Sequence, residues 1–227
     1  MAQAQRTALP GKEVARCAVS DRGVNDSATD LRFRLLLGEV AWARLPAAVQ
    51  ARFSKRLGPG RVALYRGEVV ETRLNRAGWL LAQLLRPMGA PLPLYRASGG
   101  AAVVCVSEDA ATGGQCWSRL YANAHGLPQV IHSIKAFAGP SGLEERVGLR
   151  VGMALCVKPS SDGLIFTSAY YFWQMGRVRL RLPAWLTPGQ TTVTHRDMGA
   201  GRFAFDLVVH HPLFGELVHQ HALFQDQ

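Results

Sequence analysis

The chain has 227 residues, 48% of them hydrophobic, and carries a formal net charge of +10. Its length allows one large domain or two small ones, and no apolar run reaches the roughly 18 residues that a membrane-spanning helix needs. A strong positive charge is typical of proteins that bind nucleic acid or an anionic surface. The basic residues are spread along the chain, however, which favours a solvated basic surface and no nucleic-acid partner.

The first 30 residues are polar and carry no apolar segment of the kind that a secretory signal needs. They predict a disordered leader, followed by a single domain over residues 31–227. With no export signal, a cytoplasmic location is expected.

The chain has four cysteines, and none of them forms a CxxC pair of the kind that structural zinc sites use. They are Cys17, Cys105, Cys116 and Cys156. If residues 109–112 form a hairpin loop, Cys105 and Cys116 lie opposite each other and a cross-strand disulfide is feasible. Reduced, buried thiols are favoured, because disulfides are rare in proteins that are not exported.

The segment after the leader predicts helices over about residues 31–57. Apolar residues between Leu35 and Ala43 follow a 3.6-residue period, and Asp30 is placed to cap the start. Pro46 suits the start of a second helix.

Two strand candidates at 61–65 and 68–74 follow, separated by a turn or bulge at Arg66 and Gly67. Asn75 then suits the N-cap of a helix at about 76–86. These helices are expected to cover a sheet face or the end of a barrel.

The remaining two-thirds of the chain predicts strands and no good helix. The strands are expected at 101–107, 115–122, 129–137, 143–158, 163–175, 177–182, 190–196, 202–210 and 216–224. A meander this long must curl or close to protect its edges. The sequence therefore predicts a mainly β (α+β) fold, either a lipocalin-like antiparallel β-barrel or a strongly curved meander sheet, with N-terminal helices packed on it. A helix-grip-like sheet is the alternative.

Side-chain alternation along the strands sorts residues into inner and outer faces. The inward polar candidates are Arg119, His132, Glu145 and His195. They predict either buried pairs that fix strand register, such as Arg119 with Glu145, or a polar patch that orients a ligand.

The C-terminal histidines resemble a metal site at first sight. They are His210, His211, His219 and His221. No carboxylate at matching spacing accompanies them, so no metal is expected. The chain also has no Walker A loop and no Gly-rich dinucleotide loop after a strand, and no other cofactor is expected. The final hairpin instead places Phe203, Phe205 and Leu207 on its inner face, and Asp206 on the outer one.

Six segments, in this order and spacing, resemble a bacterial family known as domain of unknown function 4166. They are Leu36–Pro46, Trp117–Arg119, Leu143–Gly148, Arg181–Pro188, Phe203–Leu207 and His211–Leu217. The similarity spans about residues 31–224, and family members occur alone or fused to dehydrogenase-like proteins.

The resemblance implies a set of characteristic positions but no known activity. These are Trp117, Arg119, Glu145, Pro183, Trp185, Asp206 and Gly215. The chain departs from the family pattern at His195, where an acidic residue is expected, and at Gln220, where an aromatic is common. Both departures indicate a modified site.

Two hypotheses for function share one pocket. In the first, the lumen binds a small hydrophobic or aromatic ligand. Its lining is expected to include Trp117, Tyr121, Tyr171, Trp173 and His195. In the second, the protein is a cofactor-independent cyclase or isomerase in which His132 or Glu145 acts as general acid or base and Arg119 stabilises negative charge. A weaker third class is an interaction domain that uses the basic outer face.

Overall fold

A computed structural model describes residues 29–226 except 59, 97, 110, 111 and 125. In it, alternating apolar and polar residues form eleven strands. The strands are β1 Val62–Leu74, β2 Gly100–Glu108, β3 Gln115–Tyr121, β4 Gln129–Ala136, β5 Glu144–Arg146, β6 Val151–Pro159, β7 Gly163–Met175, β8 Val178–Arg181, β9 Gln190–Gly199, β10 Arg202–His211 and β11 Gly215–Gln225. The predicted leader lies outside the described residues, apart from its last two positions.

Ten of the strands close into an antiparallel barrel. Neighbours in sequence pair with each other, β6 pairs with β7, β7 pairs with β9, and β1 closes the ring against β11. Strand β8 is an addition that, among the described strands, pairs only with the end of β7. Closure leaves no long unpaired edge. The prediction of a mainly β antiparallel barrel is confirmed, and the open helix-grip-like alternative is wrong.

Three short helices precede the barrel, where the sequence predicts two. They are α1 Arg32–Leu37, α2 Glu39–Ala43 and α3 Ala47–Phe53. Gly38, with φ of 80°, breaks the helical path between α1 and α2, because this conformation lies outside the helical region. Phe33, Val49 and Phe53 pack with Phe166 and Leu164 of β7, so the helices cover one end of the barrel.

Helix α4, Arg76–Leu84, lies beside β11. The Asn75 side chain caps it by accepting a hydrogen bond of 2.7 Å from the Gly78 amide. A Cβ atom at Gly78 would lie 2.0 Å from the Leu217 carbonyl oxygen, so only glycine allows this close packing. No helix of the described residues is long and apolar enough to cross a membrane.

The two strand candidates at 61–65 and 68–74 are one continuous strand, β1. Gly67 is not a turn but a place where β1 passes very close to β11. A Cβ atom there would lie 1.9 Å from the Leu223 carbonyl oxygen. The predicted break is therefore wrong, and the register shift in this strand comes later, between Val69 and Glu71.

The single strand predicted at 143–158 is instead the hairpin of β5 and β6. The chain reverses at Leu149 and Arg150, whose φ angles are 54° and 62°. Because alternating apolar residues continue through this turn, the pattern hides it. Glu145 and Met153 are consequently direct neighbours across the hairpin.

The register of β2 and β3 separates the two cysteines that were placed opposite each other. Cys105 pairs with Ser118 and Cys116 pairs with Ser107, because the loop closes between Asp109 and Gly114 rather than between 109 and 112. The described cysteines, Cys105, Cys116 and Cys156, are all free thiols.

Antiparallel order sends the connections alternately to the two ends of the barrel. At the capped end lie the described residues of 29–61 with α1–α3, those of the connections 109–114, 137–143, 160–162 and 200–201, and the C-terminal strand end. At the mouth end lie the described residues of the connections 75–99, 122–128, 147–150, 176–177, 182–189 and 212–214.

Candidate functional site

The inner face of the barrel brings together three charged side chains from neighbouring strands. Arg119 lies on β3, Lys135 on β4 and Glu145 on β5. Lys135 pairs in register with Glu145, and Trp117 pairs with Ser133. All five side chains therefore point into the same part of the lumen.

The prediction that His132 points inward is wrong. His132 is exposed on the outer face, where its Nδ1 lies 2.8 Å from the Ser118 hydroxyl. The inward residues of β4 are Ile131, Ser133 and Lys135. The more apolar face of this strand is the outer one. The inner face can be polar because Ser133 and Lys135 both bond to Glu145.

Glu145 is the centre of a buried ion network. Its Oε2 accepts a hydrogen bond of 2.7 Å from Lys135 Nζ. Its Oε1 accepts bonds from the Ser133 hydroxyl at 2.7 Å and from Arg119 at 3.2 Å. Arg119 also donates to Ser133 at 3.2 Å. The network joins three strands and satisfies both carboxylate oxygens.

The neighbouring basic side chains keep the Glu145 carboxylate ionised. Burial alone would raise the pKa of Glu145, but Lys135 and Arg119 outweigh it and lower that pKa to about 2. Burial lowers the pKa of Lys135, and the Glu145 carboxylate opposes this shift. Glu145 is therefore negatively charged at neutral pH.

A cavity of about 100 Å³ lies beside the network in the lumen. Its wall is otherwise largely apolar and comes from almost every strand of the barrel. The apolar lining residues are Phe53, Val104, Trp117, Tyr121, Ile131, Met153, Phe166, Val193, Phe205, Leu207, Ala222 and Phe224. Phe53 of α3 belongs to this wall, so the helices take part in closing the cavity at the capped end.

A second, open cavity of about 1000 Å³ lies at the mouth end, between α4 and the strand ends. Tyr121 and Gln220 line both this cavity and the lumen cavity. Gln220 is held in place by a hydrogen bond of 3.1 Å from its amide to the Thr72 hydroxyl. These two side chains form the boundary between the mouth and the lumen.

Only some of the other predicted ligand-binding residues line the lumen cavity. Trp117 and Tyr121 line the lumen cavity. Tyr171 lies behind it, where its hydroxyl is 2.6 Å from that of Thr191, a lining residue. Trp173 is 40% exposed near the end of β7 and donates to the Leu149 carbonyl, so its placement in the lumen is wrong.

His195 is a buried wall residue at the capped end. Its ring centroid is 5.1 Å from those of Phe53, Phe203 and Phe205, and it borders a small cavity of about 30 Å³. Neither ring nitrogen has a hydrogen-bond partner among the described residues. Burial, and secondarily the nearby Arg52, lower the pKa of His195 from 6.5 to about 4.

This shift predicts a loss of stability on acidification. Between pH 6.5 and about 4 the unfolded chain binds a proton at His195 and the folded chain does not, so falling pH favours unfolding. Over this window the contribution is about 3 kcal/mol. The substitution His195→Phe removes the titrating group. Urea unfolding at several pH values is therefore expected to show that the free energy of unfolding falls less steeply between pH 6.5 and about 4 in the variant. An unchanged slope in the variant contradicts the assignment.

Of the four C-terminal histidines, His219 and His221 face outward and have polar partners, while His211 is buried and accepts a hydrogen bond of 3.1 Å from the Leu213 amide. His221 Nδ1 lies 2.5 Å from Asp206, and His219 lies 2.5 Å from Arg73. Among the residues that the structure describes, no three His, Cys, Asp or Glu side chains are grouped to hold a metal ion.

Sequence reasoning missed Ser133, Lys135 and Gln220 as lumen residues. Gln220 shares the inner face of β11 with Ala222 and Phe224, and this alternation was available as a signal. Ser133 and Lys135 also alternate with apolar residues, but the apolar face of a strand is normally the inner one, so the pattern predicts the wrong face. The inward position of Lys135 follows only from its contact with Glu145 on the neighbouring strand β5.

The comparison with known families agrees with the resemblance drawn from the motifs. A family described as a domain of unknown function (DUF4166) matches residues 45–224. No curated protein and no solved structure gives a significant match. Because the match covers more than half of the chain, the protein belongs to the DUF4166 family.

Proposed function

We propose that the lumen binds a small hydrophobic or aromatic molecule whose polar end meets Arg119, Lys135 and Glu145. The observation that carries this proposal is the position of the ion network, on the wall of an otherwise largely apolar cavity. Binding sites for small molecules typically combine an apolar lining with a few placed polar groups that fix the orientation.

The size of the cavities supports an elongated ligand. The lumen cavity of about 100 Å³ is smaller than typical ligand sites, which begin at about 300 Å³. It suits the head of a ligand, and the larger mouth cavity suits the rest. Such a ligand passes between Tyr121 and Gln220.

The charges support an anionic head group. Arg119 and Lys135 provide two cationic groups, and among the described residues Glu145 is the single carboxylate bonded to them. A ligand carboxylate adds a second counter-charge in a region of low dielectric, where hydrogen bonds between ionised groups are strong. A cationic head group would meet repulsion from both basic side chains.

The same chemistry favours binding over the enzymatic alternative. With a pKa of about 2 and three donors on its oxygens, Glu145 is a poor general acid or base at neutral pH. His132, the other candidate, lies on the outer surface of the barrel.

A matched series of probes tests the proposal. Phenylbutyrate, its amide and phenylbutylamine share one apolar body and differ only in the charge of the head. Isothermal titration calorimetry is expected to rank them acid first, amide second and amine last, with at least about a tenfold step from acid to amine. Substituting Lys135→Met is expected to remove most of the preference for the acid. Equal binding of acid and amine, or a preference for the amine, contradicts the proposed polarity of the site.

A further inference from the structure

Most of the connections at the mouth end carry exposed, large apolar side chains. These are Trp79, Leu80, Leu84 and Tyr95 in the first connection, Leu127 in the second, Leu149 in the third, Trp185 and Leu186 after β8, and Leu213 and Phe214 in the last. The exposed fractions reach 89% for Leu127, 82% for Leu213 and 80% for Trp185. Among the described connections at the capped end only Leu31, Leu35 and Val40 are comparable.

The same connections hold an excess of positive charge. They contain the arginines 76, 86, 96, 150 and 177, and no aspartate or glutamate. All five are exposed, and none makes an ion pair with a carboxylate that the structure describes. The connections at the capped end mix both signs, and ion pairs there include Arg34 with Glu39 and Arg52 with Asp226.

This combination fits one kind of partner. Exposed apolar side chains beside arginines that have no carboxylate partner match the interface of an anionic bilayer, where apolar groups enter the headgroup boundary and cations meet lipid phosphates. A nucleic acid would use the arginines and stack on aromatic rings, but it offers nothing to aliphatic tips such as Leu127 and Leu213.

We propose that the mouth end is a docking surface for an anionic lipid bilayer. The open cavity beside α4 lies at this end and is lined by Trp79 and Leu80, so docking places the entrance of the barrel against the lipid. An apolar molecule can then pass between bilayer and barrel without crossing water. The docking surface does not depend on which ligand the lumen takes.

Vesicle co-sedimentation of the full chain tests this surface. The probes are vesicles of phosphatidylcholine alone and vesicles in which about a third of the lipid is phosphatidylglycerol. Binding is expected only to the second kind, and it should weaken as salt is added. The triple variant Leu127→Ser, Trp185→Ser, Leu213→Ser is expected to lose at least about tenfold in affinity, because it removes apolar groups that enter the lipid.

Charge is tested separately from apolar contact. Since one arginine near an anionic surface is worth about fivefold in affinity, the variant Arg76→Gln, Arg150→Gln, Arg177→Gln is expected to lose about a hundredfold. The matched controls at the capped end are Leu35→Ser with Val40→Ser, and Arg44→Gln with Arg61→Gln. Both controls should bind the anionic vesicles like the unmodified chain.

Three results overturn the proposal. They are failure of the unmodified chain to bind anionic vesicles, an equal loss in the capped-end controls, and binding that depends on the arginines but not on the three apolar residues. In the third case a short DNA duplex should bind as well as the vesicles, and the surface is then a polyanion site instead.

Discussion

Replacing Glu145 with glutamine is expected to destabilise the barrel by about 3–5 kcal/mol, because removing one member of a buried ion pair leaves uncompensated charge behind. Lys135 loses its only carboxylate partner among the described residues, and its side chain is only 7% exposed. Ser133 and Arg119 lose their charged acceptor as well. Urea unfolding at neutral pH measures the change.

Two further variants separate the ion network from a simple packing defect. The double substitution Lys135→Met with Glu145→Gln removes both charges, and it should recover a substantial part of the loss. The control Glu68→Gln changes an exposed carboxylate on β1 and should stay within about 0.5 kcal/mol of the unmodified chain. If Glu145→Gln is as mild as this control, the network does not hold the strands together.

The same network predicts a second acid-sensitive window. The pKa of Glu145 is lowered from 4.5 to about 2, so its contribution is present above pH 4.5 and is lost as pH falls toward 2. Most of this pH range lies below that of His195, and Glu145→Gln should remove the Glu145 contribution alone.

Filling the lumen is expected to abolish ligand binding. Ala222 on β11 lines the cavity and is 3% exposed, and Ala222→Phe places a ring in a space of about 100 Å³. The affinity for phenylbutyrate should fall by at least about tenfold, because the ring occupies the site of the ligand head. Calorimetry of the variant measures this loss.

The matched control is Ala101→Phe, which makes the same change at an exposed position on the outer face of β2. It should leave the affinity unchanged. Overpacking of a core costs about 1–3 kcal/mol at most sites, so the stability of Ala222→Phe must be measured beside its affinity. Unimpaired binding by a folded Ala222→Phe protein means that the ligand lies elsewhere.

The barrel was predictable because most of its strands are rich in apolar and β-branched residues and are bounded by glycine and proline. The final hairpin, formed by β10 and β11, follows from local residues alone. The β5–β6 hairpin was not predictable, since Leu149 and Arg150 adopt positive φ angles that their residue types rarely take.

The candidate site was predictable only in part. Strand β3 alternates clearly, so Trp117, Arg119 and Tyr121 were placed on the inner face from sequence. Strand β4 misleads, because its buried lysine is stabilised by Glu145 of β5, a contact that local sequence does not contain. The pattern therefore predicts His132 inward, although the polar face of β4, with Ser133 and Lys135, is the buried one.

The proposed lumen and docking surface describe one route for an apolar molecule. The apolar tips and arginines lie at the end where the mouth cavity opens, and Tyr121 and Gln220 separate that cavity from the ion network. A ligand that enters head first from the bilayer reaches Lys135 and Arg119 with its polar end. Membrane docking and ligand binding are nevertheless tested by different variants.

A crystal structure of the chain with phenylbutyrate tests the central claim most directly. We expect the carboxylate in the lumen, within about 3 Å of Lys135 Nζ or of the Arg119 guanidinium, with the phenyl ring directed toward the mouth. A ligand bound outside the barrel, or one whose carboxylate lies away from both cations, would contradict the account.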